Sequence, residues 1–288
     1  MKHISYSIDN YVPTKEVSLN ILDNFLTVVR GYQVFTVLKT VNKGKPIFLN
    51  YHLDRVLDNA QSMNMIVSQT RDEIENIIEN TLQQNNFDNG ECNLLILLAG
   101  TKPTDTSGLM TNMPVNLFVI TTPIKEITTS YQQGVSLGFF DYRKSDSELK
   151  TPFTYFGGLK AQHALVRNGE CDEALYTCDN IVFEGTTFSF FCVLNDNTIL
   201  TSPADGKILK SVTRKVVLQL LEKNKYNFIE RALTKKEVMN CKEAFIASSN
   251  RDIIPVKSIE GKVLFKNDSM GLITKAITKL YQDCISRL

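Results

Sequence analysis

The most informative stretch of the sequence is SDSELKTPFTYFGGLKAQHALVRNGECDEALYT, residues 145–177, because it sets a lysine before a predicted helix that leads into a strand. The lysine is Lys150, and the strand is predicted from the apolar run EALYT. A lysine in a polar segment is usually only solvated. A catalytic role for Lys150 can therefore be inferred only if other residues of the chain form a matching site.

The composition limits the classes of function. A chain of 288 residues with 43% hydrophobic residues is long enough for two compact domains. The 32 basic and 31 acidic side chains leave a formal charge of +1, which argues against nucleic acid or an anionic membrane as the main partner. Neither a signal-peptide pattern nor an apolar run of about 18 residues is present, so we expect no membrane span.

The cysteines and histidines argue against a disulfide framework and a metal site. The six cysteines are scattered and lack CxxC spacing, which is typical of reduced residues in a cytosolic protein, so we expect a cytoplasmic location. The three histidines, His3, His52 and His163, lie far apart without ligand-like spacing. We therefore predict no metal, and we interpret His52 and His163 as structural.

Apolar periodicity predicts an α+β chain with two domains. Helices are predicted for NYHLDRVLDNAQSMNM, RDEIENIIENTLQQNN, SVTRKVVLQLLEK and GLITKAITKLYQDCISRL, and TKKE at 234–237 has capping-box form. Short strands are predicted for VFTVLKT, CNLLILLA and NLFVITT in the first half and for a denser series in the second. We predict a small N-terminal α+β domain at 1–121, a linker at 122–130 and a larger, β-rich cofactor-binding domain at 131–288.

Three features together favour one cofactor. Lys150 supplies an amine, and Glu184 in IVFEGTTFSFF supplies a carboxylate at a strand end. ILKSVTRK places Ser211 and Thr213 at the start of an amphipathic helix, where free N–H groups favour a phosphate. Pyridoxal 5'-phosphate needs a lysine for its Schiff base, a charged partner at the pyridine nitrogen and an anion site. The lysine then serves as general base and acid at the substrate Cα.

The order of these segments resembles the class IV pyridoxal-phosphate aminotransferases, the fold-type IV family that includes branched-chain and D-amino-acid aminotransferases and aminodeoxychorismate lyases. GYQVFTVLKTVNKGKPIFLNYHLDRVLDNAQ is similar to the family's early strands and HLxRL helix, LKTPFTYFGGLKAQ to its lysine segment, and VFEGTTFSFF to its EGTxSNxF strand. The resemblance covers nearly the whole chain and implies the two-domain fold of that family.

The resemblance also implies roles for individual residues. Lys150 falls at the catalytic Schiff-base position. Cofactor contacts fall on Arg55 at the phosphate, Tyr155 at the phenolic oxygen, Glu184 at the pyridine nitrogen, Leu209 at the ring face, and Val212, Thr213 and Ser249 at the phosphate turns. Asn250 lies beside the position that binds the substrate carboxylate, and Phe35 belongs to a set of phenylalanines able to line an apolar substrate pocket. In this family a second subunit completes the active site, so the resemblance implies a homodimer.

The chain departs from the family pattern near the expected substrate site. Thr36 and Lys39 stand where the early strand usually carries glutamate and arginine, and Phe188 and Ser189 replace the usual SN pair. Thr154 precedes Tyr155 in place of an asparagine. These differences leave the cofactor residues in place but remove residues that would identify the substrate.

Three functions follow from the resemblance. The first is an aminotransferase that moves an amino group between a branched-chain-like amino acid and a 2-oxo acid. The second is a 4-amino-4-deoxychorismate lyase, which uses the same imine but eliminates pyruvate. The third is a divergent pyridoxal-phosphate-binding protein with little turnover, motivated by the altered positions Thr36, Phe188 and Ser189.

Overall fold

The computed structural model describes residues 3–88, 90–266 and 270–288, and the chain divides into two compact units. Unit one comprises the described residues of Met1–Lys125 together with Leu149–Phe153 and Leu288, and unit two comprises Glu126–Glu148 and Thr154–Arg287. The change of unit after Lys125 falls inside the segment that we predicted as a linker. Leu149–Phe153 differs from the prediction, because this segment, with Lys150, belongs to unit one rather than to the C-terminal domain.

In the part of unit one that the structure describes, a six-stranded sheet packs with three helices. Its strands, in the order β2-β1-β6-β5-β3-β4, are β1 Ile4–Ser7, β2 Asn10–Pro13, β3 Gln33–Val41, β4 Lys45–Pro46, β5 Cys92–Ala99 and β6 Asn116–Pro123. Its helices are α1 Phe25–Arg30, α2 Leu49–Ser62 and α3 Arg71–Gln83, with a 3-10 turn at Thr14–Glu16. All pairings in this sheet are antiparallel.

Strand β3 explains how unit one positions side chains. Its buried and half-exposed residues alternate, with Val34, Thr36, Leu38 and Thr40 buried on one face. Successive side chains of a strand point to opposite faces, so Phe35 lies on the other face. Thr36 is a fully buried polar residue of this face, so its hydroxyl needs hydrogen-bond partners.

The described residues of unit two form ten strands and five helices. The strands are β7 Val135–Asp141, β8 Glu173–Cys178, β9 Ile181–Gly185, β10 Ser189–Val193, β11 Ile199–Thr201, β12 Phe228–Glu230, β13 Leu233–Thr234, β14 Glu243–Ser248, β15 Asp252–Ile259 and β16 Lys262–Val263. The helices are α4 Thr129–Gln133, α5 Phe156–Ala161, α6 Val212–Lys223, α7 Lys235–Asn240 and α8 Leu272–Ser286, with a 3-10 turn at Pro152–Tyr155 and a π-helical segment at Gln162–Val166.

The large sheet of unit two has the order β12-β11-β10-β14-β15-β7-β8-β9-β13, with β16 paired to β15. Strand β7 pairs in parallel with both β15 and β8, whereas β9 is antiparallel to β8. Apolar residues of these strands form one buried cluster that includes Leu137, Leu175, Phe190, Ile246 and Val256. The cluster fixes the sheet from which the site residues of unit two project.

The predicted longer helices and the capping box are confirmed. Helices α2, α3, α6 and α8 lie where apolar periodicity predicted them, and Thr234 and Glu237 cap α7 reciprocally. The Arg231 guanidinium beside Glu237 lowers the pKa of that carboxyl to about 2. Within the described part of the chain, every helix is too short or too polar to cross a membrane.

Candidate active site

Lys150 is held through its backbone in unit one. Its N–H donates to Asn59 Oδ1 over 2.8 Å, and its carbonyl accepts from the Phe35 N–H over 3.1 Å. The Lys150 ammonium lies 5.1 Å from the centre of the Phe35 ring, within the range of a cation–π contact. Strand β3 and helix α2 therefore fix the segment that carries the predicted catalytic lysine.

Arg55 lies near Lys150 in the same unit and is tied to the buried face of β3. Only 8% of Arg55 is exposed, and its Nη2 donates to Thr36 Oγ1 over 2.8 Å. Thr36 Oγ1 also lies 2.6 Å from His52 Nδ1. Because arginine can only donate, the Thr36 hydroxyl accepts from Arg55, and the same oxygen shares a second hydrogen bond with His52 Nδ1. This chain of hydrogen bonds orients the arginine that we predicted at the phosphate.

His52 is neutral in this arrangement. Burial lowers its pKa well below 6.5, and the nearby charges of Arg55 and Lys150 lower it further. We interpreted His52 from sequence as structural, and the structure adds that it supports Arg55 through Thr36. His52, Arg55 and Asn59 are all buried on α2. Their spacing of three and four residues places them on one helix face, which is the sequence signal that would have revealed Asn59.

Glu184 is a buried carboxylate of unit two. It lies near the end of β9, is 4% exposed, and accepts the Leu209 N–H at 3.3 Å from each of its oxygens. Its Oε1 also accepts from Lys144 Nζ over 2.9 Å. The ion pair with Lys144 was not predicted from the sequence. The cation and the amide donor compensate the burial of this carboxylate, which suits a partner for a protonated ring nitrogen.

Thr213 and Ser249 bring two hydroxyls together in unit two. Thr213 lies in the first turn of α6, and its Oγ1 is 3.2 Å from Ser249 Oγ, which follows β14. The first N–H groups of a helix have no partner within the helix, so Val212 and Thr213 also offer backbone donors. Hydroxyls and N–H groups at a helix N-terminus bind a phosphate well. With Glu184 and the half-buried Leu209, these residues fit pyridoxal 5'-phosphate.

Tyr155 and Asn250 occupy different surroundings. Tyr155 ends the turn Pro152–Tyr155, is half-buried and lies close enough to Tyr176 to affect its pKa, which burial raises first of all. Asn250 is exposed in the turn between β14 and β15, directly after Ser249. Both positions remain predictions as cofactor and substrate contacts.

Phe188 explains one departure from the family pattern. A Cβ added at Gly185 would lie only 2.0 Å from Phe188 Cζ, so the Phe188 ring rests directly on the glycine backbone. Ser189 is buried, and among the described residues its hydroxyl has no hydrogen-bond partner. The chain has thus replaced a polar pair with an aromatic ring that fills the space over Gly185 and a buried hydroxyl.

Arg251 was also missed by the sequence analysis. Its guanidinium contacts Glu173 and the Tyr131 hydroxyl, and Nη2 donates to Thr187 Oγ1 over 2.5 Å. The Tyr131 hydroxyl donates to Glu173 over 2.6 Å, and burial raises the pKa of Tyr131. Arg251 thereby fastens the turn that carries Ser249 and Asn250 to the start of β8. The sequence contains no signal for these contacts beyond the neighbouring Asn250.

Comparisons with known proteins show the family and the fold of the chain. A family model described as amino-transferase class IV matches residues 33–259. The D-alanine aminotransferase of Bacillus licheniformis is 30% identical over 263 residues, covering 89% of this chain and 90% of the relative. The branched-chain aminotransferase of Thermoproteus uzoniensis, solved with norvaline, superposes with a TM-score of 0.88 at 21% identity over 99% of this chain and 95% of that one. A second branched-chain amino acid aminotransferase, from T.th. and complexed with N-(5'-phosphopyridoxyl)-L-glutamate, gives a TM-score of 0.86 at 19% identity over 100% and 95% of the two chains.

Proposed function

The chain belongs to the class IV aminotransferase family, whose members use pyridoxal 5'-phosphate, and we propose that Lys150 is the amine through which this transaminase holds its cofactor. The observation that carries the proposal is the double backbone anchoring of Lys150 by Asn59 and Phe35. A lysine that must return to one position in every catalytic cycle benefits from a backbone that cannot shift. The fold is that of the fold-type IV aminotransferases.

The other predicted residues divide the work of binding the cofactor. Bound pyridoxal 5'-phosphate supplies an electron sink next to the substrate Cα. Lys150 Nζ takes and returns the Cα proton, and Glu184 faces the ring nitrogen. Arg55, Val212, Thr213 and Ser249 would hold the phosphate, Leu209 would pack on the ring, and Tyr155 would contact the phenolic oxygen. The contacts of Arg55 with Thr36 and of Thr213 with Ser249 support these roles, because each fixes a donor in place.

The proposed substrates are a branched-chain-like amino acid and a 2-oxo acid. The aromatic ring of Phe35 beside the Lys150 ammonium supports this choice, since it offers an apolar surface next to the reacting amine. Asn250, exposed after Ser249, is the proposed neighbour of the substrate carboxylate.

D-Alanine is a second candidate substrate. The observation that favours it is the 30% identity to a D-alanine aminotransferase over most of both chains. The similar proteins described above carry aminotransferase names, which does not support the pyruvate-eliminating lyase.

A homodimer is part of the proposal. It rests on the family resemblance, in which a second subunit contributes to the active site. Light scattering of the purified protein on a sizing column tests it, and a mass close to the 32.6 kDa of one chain would contradict it.

The functional test uses single half-reactions. The protein loaded with pyridoxal 5'-phosphate is mixed with L-leucine, L-valine or D-alanine, and loss of the visible absorbance band reports transfer of the amino group to the cofactor. A 2-oxo acid should then restore the band. We expect the L-branched amino acids to react fastest, whereas faster reaction with D-alanine would support the second candidate. Release of pyruvate from aminodeoxychorismate without amino transfer would contradict the proposal.

A further inference from the structure

We propose that Lys144 is a positioning residue that shares the Glu184 carboxylate with the ring nitrogen of the cofactor and so limits how strongly that nitrogen holds a proton. The proposal rests on the proposed function, in which Glu184 faces the ring nitrogen. It adds a residue and a role that the family resemblance did not supply, because the sequence analysis left Lys144 unassigned.

The first observation is the ion pair itself. Lys144 Nζ lies 2.9 Å from Glu184 Oε1, and the two side chains are only 9% and 5% exposed. Water screens a buried pair less than an exposed one, so the ammonium acts on the carboxylate more strongly than it would at the surface. Most other ion pairs of the described residues involve a more exposed partner, such as Lys257 with Asp172, where the side chains are 44% and 40% exposed.

The second observation is the packing of the Lys144 side chain against the ring of Tyr176. Lys144 Nζ lies 5.3 Å from the centre of the Tyr176 ring, and Tyr176 packs against Tyr142 with ring centres 5.3 Å apart. Tyr176 is 1% exposed, and its hydroxyl has no hydrogen-bond partner among the described residues. The Lys144 ammonium is therefore directed to the Glu184 carboxylate and to the face of the ring, not to the phenol oxygen.

The hydrogen-bond capacity of Glu184 leaves room for one more donor. A carboxylate offers about four acceptor sites, and Glu184 uses one for Lys144 and two for the Leu209 N–H that its oxygens share. A ring N–H can take the remaining capacity. Because the negative charge is already partly neutralised by Lys144, the carboxylate stabilises a cationic ring less than an unpaired carboxylate would.

The third observation is the local chain geometry. Lys144 follows β7, and the register pairs Asp141 with Thr177 on β8 and Cys178 with Ile181 on β9. Strand β8 lies between β7 and β9 and carries Tyr176, whose ring is next to the Lys144 ammonium. The segment that follows β7 therefore brings Lys144 across β8 to the Glu184 carboxylate on β9.

The test measures the ring nitrogen directly. Wild-type protein and the Lys144→Met variant are loaded with pyridoxal 5'-phosphate labelled with nitrogen-15 in the ring, and the labelled signal is followed by NMR as a function of pH. Since a neighbouring charge shifts a pKa by about one unit or more, we expect Lys144→Met to raise the proton affinity of the ring nitrogen about tenfold or more. Lys144→Arg, which keeps the charge, should remain close to wild type.

A matched control is Lys257→Met, which makes the same substitution in an exposed ion pair of unit two. The inference is overturned if Lys144→Met leaves the ring signal as unchanged as this control does, or if Lys144→Arg behaves like Lys144→Met. If the Lys144→Met variant does not fold, the protonation of the ring nitrogen in the wild-type protein decides the question. The reference is pyridoxal 5'-phosphate that is paired with a carboxylate model compound in the absence of protein. A ring nitrogen in the wild type that is protonated as strongly as in this reference would also overturn the inference.

The failure of this inference is distinguishable from the failure of the proposed function. Reduction with borohydride and peptide mapping show whether the cofactor is attached to Lys150 in each variant, whatever the ring signal does. Cofactor attached to Lys150 with an unaffected ring nitrogen refutes only the role of Lys144. A wild type that takes up no cofactor refutes the proposed function and this inference together.

Discussion

Replacing Thr36 by valine tests how the buried face of β3 supports Arg55. Thr36 is fully buried, accepts from Arg55 Nη2 over 2.8 Å and shares a second hydrogen bond of 2.6 Å with His52 Nδ1. Valine has nearly the same shape but no hydroxyl. The Thr36→Val variant therefore removes two hydrogen bonds and leaves a buried cation and a buried imidazole nitrogen without this partner.

The magnitude follows from the two partners. A hydrogen bond to a charged group contributes about 1.5–3 kcal/mol, and one between neutral groups about 0.5–1.5 kcal/mol. We therefore expect the free energy of unfolding to fall by about 2–4 kcal/mol in Thr36→Val. We also expect weaker binding of pyridoxal 5'-phosphate, because Arg55 loses the contact that orients it.

The assay is urea unfolding of the cofactor-free protein, with Thr101→Val as the matched control. Thr101 lies in the same unit, is 7% exposed, and among the described residues its hydroxyl has no hydrogen-bond partner. The same substitution there removes no hydrogen bond, so we expect a change of about 0.5 kcal/mol or less. Equal effects of the two substitutions would refute the role of Thr36.

Three further predictions use other parts of the site. Burial holds the pKa of His52 well below 6.5, so the unfolded chain binds a proton that the folded protein does not. The stability of the wild type is thus complete above about pH 6.5 and falls below it by up to about 1.4 kcal/mol per pH unit. In urea unfolding, the His52→Gln variant should not show this decrease in stability at low pH. The control variant His163→Gln, at an exposed position, should still show it. Gly185→Ala should lower the free energy of unfolding by about 1–3 kcal/mol, and with it the melting temperature, because its Cβ would meet the Phe188 ring at 2.0 Å. An unchanged melting temperature would contradict that packing. Thr213→Val should weaken cofactor binding about twofold to tenfold in an absorbance titration, and an unchanged dissociation constant would remove Thr213 from the phosphate site.

Much of the fold was predictable because it is encoded locally. The spacing of apolar residues determined α2, α3, α6 and α8, and the capping box of α7 depends on two residues three positions apart. Such signals need no knowledge of what packs against the element. The segment Leu149–Phe153 behaves differently, because its place in unit one is decided by hydrogen bonds with residues far away in sequence.

The contacts around the candidate site could not be predicted either, because they also join residues that are far apart in sequence. Lys144 and Glu184 lie 40 residues apart in sequence, and their contact depends on the pairing of β8 with both β7 and β9. A change of register by one residue would turn the side chains of a strand to the other face, and short sequence motifs do not reveal which strands pair. Position 36 carries threonine where the family pattern has glutamate. The role of this threonine is visible only in the structure, where His52 and Arg55 of α2 both contact its hydroxyl.

The central claim is that Lys150 holds the cofactor, and the most direct measurement is to locate the attachment site. The protein is incubated with pyridoxal 5'-phosphate, reduced with borohydride and cleaved with trypsin, and the modified peptide is identified by mass spectrometry. We predict that the phosphopyridoxyl group is attached to Lys150 and is absent from that position in Lys150→Ala. Attachment to Lys144, or to several exposed lysines without preference, would contradict the account.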